Sequence, residues 1–250
     1  RDAKIPYAVP ARDRLPERLE GVLATLYLVF NEGYAATAGE ALLRGELCEE
    51  AIRLTRELSS LLPHEPEVLG LLALMQLHHA RSAARTGADG DLVALEEQDR
   101  TLWRRDEIEE GVQRLDVAMA MRRRGPYQVQ AAIAALHAVA PRAEETDWRQ
   151  IELLYRALLE LQPTPTVALN HAVAVAMSRG VDAGLAKLAT LDMELVDYHL
   201  LPAARADLLR RAGRNREAAL AYEKALQLVK NARERRYLER RLREVRGRPN

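Results

Sequence analysis

The sequence predicts an all-α fold of helical hairpins stacked side by side, and three observations carry that reading. Apolar residues recur at helical spacing nearly from end to end, with Ala and Leu dominant and little of the β-branched alternation that marks strands. Gly and Pro break this pattern at intervals along the chain. Small residues, turn glycines and aromatics fall at the offsets of a repeated unit. With 250 residues, 48% of them hydrophobic, the chain can bury one continuous core or two smaller ones.

In chain order, the periodicity predicts helices over 16–31, 46–62, 66–84, 91–103, 106–122, 126–140, 147–161, 165–179, 182–190, 199–212, 215–230 and 232–246. The clearest unit is the C-terminal one. Ala206, Gly213, Ala218, Tyr222 and Ala225 fall where a tetratricopeptide repeat places small, turn, small, aromatic and small residues. Small residues let the two helices of a hairpin approach, the aromatic fills the gap toward the next hairpin, and Gly213 ends the first helix. Lys230 stands where the repeat usually closes with proline. A second match has Ala51 and Pro63 at the end of one unit and Leu69, Leu72 and Ala73 opening the next. A third pairs 165–179 with 182–190 across Gly180, which precedes Gly213 by 33 residues, close to the repeat period of about 34. Segment 126–161 reads as a further hairpin with a longer connection around Pro141. The expected architecture is a right-handed, solenoid-like array of tetratricopeptide-like hairpins, the alternative being a generic Ala/Leu-rich bundle. The polar turn 85–91 interrupts the pattern and suggests an N-terminal lobe over 16–84 and a C-terminal repeat lobe over 85–246, flanked by a linker at 1–15 and a tail at 247–250.

The 37 basic and 37 acidic residues cancel, which argues against general nucleic-acid binding. Cys48 is the sole cysteine, so neither an internal disulfide nor a cysteine-based zinc site can form. No apolar run approaches the roughly 20 residues that span a bilayer, and no signal peptide is visible. A cytoplasmic location is expected. Because the first residue is Arg, the chain reads as part of a longer protein.

Catalytic and cofactor motifs are missing. There is no G-x-x-x-x-G-K-[ST] loop, no G-x-G-x-x-G after a strand and no H-E-x-x-H. Adjacent His78 and His79 point roughly 100° apart on a helix and cannot face one metal. His64, His137, His171 and His199 are isolated and read as surface or satisfied core residues. Asp89 and Asp91 resemble the start of a calcium loop, but the remaining ligands are absent. The reading is of a non-enzymatic protein with no cofactor and no metal.

Several polar-aromatic segments are unusual for a plain helical scaffold. They are Ile5-Pro6-Tyr7-Ala8-Val9-Pro10, Leu26 to Tyr34 (L-Y-L-V-F-N-E-G-Y), Glu97 to Trp103 (E-Q-D-R-T-L-W), Gly125 to Ala132 (G-P-Y-Q-V-Q-A-A), Thr146-Asp147-Trp148 and Tyr198 to Ala203 (Y-H-L-L-P-A). Together and in this order, they resemble the C-terminal extension of a subgroup of bacterial extracytoplasmic-function (ECF) RNA polymerase sigma factors. The resemblance covers essentially the whole chain. It implies tetratricopeptide-like repeats and a linker at Arg1–Pro10 leaving a sigma DNA-binding domain. The two domains that would bind core polymerase and promoter DNA are not in this chain, so no sequence-specific DNA binding by it is expected.

The candidate contact residues are Tyr27, Asn31, Glu32, Tyr34, Gln98, Asp99, Arg100, Trp103, Tyr127 and Gln130. Tyr27, Asn31, Glu32 and Tyr34 read equally as the capped end of a helix or as a polar docking face. On a helix, Asp99 and Trp103 share a face while Gln98 and Arg100 do not. Trp103 then anchors the segment in the core, and Asp99 or Arg100 pairs with a neighbouring helix. Gly125-Pro126 starts a helix with Pro in its first turn, leaving Tyr127 and Gln130 to face a groove. From Lys230 to Arg248 there are nine basic and three acidic residues, a solvated capping helix or a contact for DNA or an acidic partner. The functional expectation is a regulatory protein-interaction domain of an ECF sigma factor. Its partners would be the sigma DNA-binding domains, the RNA polymerase core or a separate regulator, with no membrane contact. The alternative is a free-standing tetratricopeptide adaptor that holds a peptide in its groove.

Overall fold

Short turns and proline-led starts divide the Ala/Leu-rich chain into helices. A computed structural model describes residues 15–34, 45–87 and 90–247, with side chains from residue 18 onward. The expected linker over 1–15, Asp89 and residues 248–250 fall wholly or almost wholly outside those residues. The described residues form an all-α fold: α1 (Leu15–Tyr34), α2 (Gly45–Leu61), α3 (Pro66–His79), α4 (Arg105–Ala120), α5 (Pro126–Val139), α6 (Trp148–Leu161), α7 (Pro165–Arg179), α8 (Val181–Ala189), α9 (Leu200–Arg211), α10 (Asn215–Leu228) and α11 (Ala232–Arg246). Each helix packs on its neighbour in sequence, and α3 also packs on α1 and α5. That pattern is compatible with solenoid-like stacking.

Local chemistry explains the boundaries. Pro66, Pro126 and Pro165 occupy the first turns of α3, α5 and α7, where a missing N–H costs nothing. Asp147 accepts from Gln150 N at 2.9 Å, and Asn231 Oδ1 accepts from Arg233 N at 2.9 Å, capping α6 and α11. Between α9 and α10, Gly213 has φ +73°, and Arg214 N donates back to Leu209 O at 2.9 Å, closing α9 with the left-handed turn expected of glycine. Ala206, Ala218, Tyr222 and Ala225 then meet in one buried cluster with α11 residues Leu238, Leu242 and Val245.

Small residues set the closest helix approaches. A Cβ on Gly184 in α8 would sit 2.3 Å from Ala176 Cβ and 2.8 Å from Ala172 O of α7. Neither group can rotate away, so Gly184→Ala is expected to destabilise the chain by about 1–3 kcal/mol. Urea unfolding checks this, and an unchanged midpoint would contradict the packing.

The predicted helix over 91–103 is corrected by the structure. This stretch is an irregular strap with two short 3₁₀ turns, Leu95–Glu97 and Arg100–Leu102. It begins in a tight turn, where Gly87 N donates to Asp91 O at 2.9 Å and Val93 N to Arg85 O at 2.9 Å. Its acidic residues bond outward. Asp91 pairs with Arg236 at 2.5 Å, Glu97 with Arg241 at 2.5 Å, and Glu96 with Arg210 and Arg211. These distant ion pairs hold the strap against α9 and α11 and replace the i,i+4 pairs of a helix. Arg233 of α11 also donates to Gly90 O in the strap's first turn at 2.8 Å, whereas Arg235 turns back to Val229 O at the end of α10 at 2.9 Å.

Candidate functional site

A groove of ≈ 1560 Å³ is walled by α1, α2, α3, α5, α6 and α7, with Leu95 of the strap at one border. Four of the ten candidate residues line it: Tyr27 and Asn31 from α1, Tyr127 and Gln130 from α5. The Tyr27 hydroxyl donates to Gln130 Oε1 at 3.3 Å, and the Tyr27 and Tyr127 rings meet edge to face at 5.5 Å. Burial pushes the Tyr27 phenol up, with the Asn31 hydrogen bond opposing. It pushes Tyr127 and Tyr155, on the α6 wall, up to about 12. All three hydroxyls stay protonated at neutral pH and serve as hydrogen-bond donors.

The α5 wall is fixed by a carboxylate. Glu67 of α3 accepts from Tyr127 N at 3.0 Å, Gln128 N at 3.1 Å and Gln128 Nε2 at 3.0 Å, capping the positive end of α5 from a neighbouring helix. Gly70 allows this approach, because a Cβ there would lie 2.8 Å from Gln128 N.

The other six candidates lie elsewhere. Tyr34, in the last turn of α1, stacks on Phe30 at 5.6 Å and accepts from Arg81 Nη2 through its hydroxyl at 3.3 Å. Glu32 sits beside it in the same turn of α1. The helix continues through Gly33, so the cap expected near Asn31 falls later. The Q-D-R-x-x-W residues are on the strap, and the expectation that Asp99 and Trp103 share a helix face fails with the helix. Asp99 accepts from Thr101 N at 2.9 Å and from Thr101 Oγ1 at 2.6 Å, capping its own 3₁₀ turn. Gln98 Nε2 donates to Val93 O at 3.2 Å within the strap. Arg100 reaches across and donates to His137 O at 2.8 Å and Ala140 O at 2.6 Å, satisfying the carbonyl end of α5. Its guanidinium lies 4.4 Å from the ring centroid of Trp103, which is buried in the core.

Outside the candidate set, five basic or imidazole residues line the groove, Arg18, Arg123, His78, Arg81 and His137, and the last three lie near one another. Arg81 is only 6% exposed. Its Nη2 donates to His78 Nδ1 at 2.8 Å, which requires an unprotonated acceptor nitrogen. Burial, with Arg81, Arg85 and His137 nearby, pushes His78 well below its ordinary value. Burial, then Arg81 and Arg100, lowers His137 to about 4. Arg85 is accounted for by α1: it donates to Tyr34 O at 2.7 Å and covers the Tyr34 ring at 3.4 Å, capping the negative end of that helix. In sequence, the signal was His78, Arg81 and Arg85 at i, i+3 and i+7 beyond an apolar helix, with no acidic residue at matching spacing. Among the described residues, no group of His, Cys, Asp and Glu is placed to hold a metal ion.

Residues 18–119 match the family of unknown function DUF6596. The match covers α1 to α4 and the strap, and so includes Tyr27, Asn31, Arg81 and the Q-D-R-x-x-W segment, but not the α5–α7 walls. The chain is also 49% identical over 236 residues to the uncharacterized protein R00370 of Rhizobium meliloti (strain 1021), an alignment covering 94% of this chain. The chain spans 56% of that relative's length. No described helix is long and apolar enough to cross a membrane.

Proposed function

We propose that this chain is the regulatory protein-interaction domain of an ECF sigma factor, acting in the cytoplasm on transcription initiation by RNA polymerase. The groove is the observation that favours an interaction role. Its ≈ 1560 Å³ exceeds the roughly 300–1,000 Å³ of small-molecule pockets. Its lining alternates aliphatic side chains with Tyr27, Tyr127, Tyr155 and the amides of Asn31, Gln130 and Asn170. Amides and phenols of this kind hydrogen-bond a peptide backbone while the aliphatic wall buries its side chains. The sigma-factor part of the proposal is supported by the ordered motifs Y-L-V-F-N-E-G-Y and Q-D-R-x-x-W. The partner is a segment of the sigma DNA-binding domains, the polymerase core or a separate regulator. A free-standing adaptor for a peptide or protein partner is the second reading, and it uses the same groove.

The test is promoter-dependent transcription by a full-length protein that carries this chain. Asn170 is exposed at the groove wall, so Asn170→Ala is expected to leave the melting temperature unchanged and to reduce transcription several-fold, as loss of one net hydrogen bond of roughly 0.5–1.5 kcal/mol implies. If deleting the whole chain changes neither transcription nor its regulation, the sigma-factor reading fails and the adaptor stands.

A further inference from the structure

Arg81 is, among the described residues, a buried cation without a counter-charge. Among the described residues, no carboxylate lies within ion-pair distance of it. Its hydrogen-bond partners are a phenol and an imidazole, Tyr34 and His78, and neither carries a negative charge at neutral pH. One guanidinium nitrogen, Nη2, serves Tyr34 and His78, while the buried Nε has no hydrogen-bond partner. Arg85 and Arg100 each end on helix-terminal carbonyls, which explains them as structural residues. Arg81 ends on no such carbonyl: its guanidinium lies 5.9 Å from the ring centroid of Trp103, and it lines the groove. A buried charge left in this state is costly unless something pairs with it.

We propose that Arg81 is the anion-binding point of the groove and receives the carboxylate of an acidic residue on the bound segment, a proposal that rests on the peptide-groove reading above. Both N–H groups of Nη2 are taken by Tyr34 and His78, so the unpartnered Nε–H is the donor left for a carboxylate, which accepts a charge-assisted bond from it. Low local polarity strengthens such a bond. Glu20, Glu65 and Glu67 line the groove together with Arg18 and Arg123, so with Arg81 its acidic and arginine groups balance and offer no excess positive charge for a polyanion such as nucleic acid. One acidic residue on an otherwise apolar or neutral segment suits both features. The anchor also fixes register: a partner with Gln in place of the acid would leave Arg81 buried and unpaired, so the site rejects it.

The probes are N-acetyl-glutamate, N-acetyl-glutamine and inorganic phosphate, added to the whole chain at constant ionic strength. N-acetyl-glutamate is expected to raise the melting temperature, by roughly 3–6 °C at ten times its dissociation constant. N-acetyl-glutamine should not. The Arg81 Nε–H resonance, assigned by its loss in Arg81→Lys, should move on binding. Without probe, Arg81→Gln should melt no lower than the native chain, because it removes an uncompensated charge. With probe, it should gain nothing. A clear fall in the melting temperature of Arg81→Gln alone would make the arginine structural and overturn the proposal. So would a probe effect that survives the substitution, or no effect at all. A stronger response to phosphate than to N-acetyl-glutamate would overturn the carboxylate assignment in favour of free phosphate. These readouts do not depend on transcription. Failure here, with transcription still sensitive to Asn170→Ala, removes the anchor but not the groove; the converse removes the sigma-factor role but not the anchor.

Discussion

Replacing Trp103 with Ala is expected to destabilise the chain by about 3–5 kcal/mol, among the largest effects of any single substitution outside the helices. Trp103 is 3% exposed and packs in the cluster formed by α3, α4 and α5, among Ala73, Leu77, Ile108 and Ala134. Truncation leaves a cavity that the flanking helices cannot close, because α3 is already in tight contact with both α4 and α5. It also removes the ring under Arg100, whose guanidinium holds the carbonyl end of α5. Trp103→Phe should be far milder, at about 1.5 kcal/mol or less. The indole N–H is buried with no hydrogen-bond partner, so Phe keeps an aromatic face and discards an unsatisfied donor. Urea unfolding of the two variants decides the matter. Equal losses for Ala and Phe would mean that the indole nitrogen, not the packing, carries the stability. A loss below 1 kcal/mol for Ala would return Trp103 to the pool of partner-contact candidates.

Trp103 also marks where the sequence was legible and where it was not. Its burial was readable, because a large apolar residue in a polar segment has few other uses. The backbone that carries it was not. Leu92, Leu95, Leu102 and Trp103 imitate a helical stripe, and no Gly or Pro lies between them to break it. What prevents the helix is tertiary: Asp91, Glu96 and Glu97 find arginines on α9 and α11, and Arg100 finds the carbonyls of α5. Those partners are 37 to 145 residues away, beyond any local pattern. The C-terminal hairpin was legible for the opposite reason. Ala206, Ala218, Tyr222 and Ala225 meet across two consecutive helices joined at Gly213, so their spacing encodes their contact.

The candidate site divides along the same line. Tyr27, Asn31, Tyr127 and Gln130 stood out because polar and aromatic groups interrupt Ala/Leu-rich helices, and the groove gathers all four. Gln98, Asp99 and Arg100 stood out for the same reason, yet each is occupied by the strap's own turns or by a helix end. Composition marks a residue as unusual; it does not say whether the protein itself already uses the group. His78, Arg81 and His137 show the converse. His78 and Arg81 are three apart in sequence, but His137 joins them only through the packing of α3 against α5.

Between pH 7 and pH 4 the chain is expected to lose about 3 kcal/mol of stability through His137 alone. The folded state holds this imidazole at about 4, whereas an unfolded histidine titrates near 6.5. Above 6.5 neither state binds the proton and the residue contributes nothing. As pH falls, the unfolded chain takes up a proton that the folded chain refuses, so unfolding becomes favourable; the loss reaches about 2 kcal/mol by pH 5 and is complete below 4. His78, displaced in the same direction, adds to it. Glu107, Glu152 and Asp207 are held below the ordinary carboxylate range, and their stabilisation is lost at lower pH as they take up protons. The interval from about pH 6.5 to 5 therefore belongs mainly to the histidines. His137→Leu keeps the apolar contact with Trp148 and cannot titrate, so its urea midpoint should be flatter across that interval than the native one. A native midpoint that does not move between pH 7 and pH 5 would mean that water reaches the imidazole and that the cluster is not as enclosed as the packing implies. A carboxylate docked on Arg81 would lie close to both rings and favour their charged forms. Saturating N-acetyl-glutamate should therefore shrink the pH-dependent loss in the native chain and leave it unchanged in Arg81→Gln.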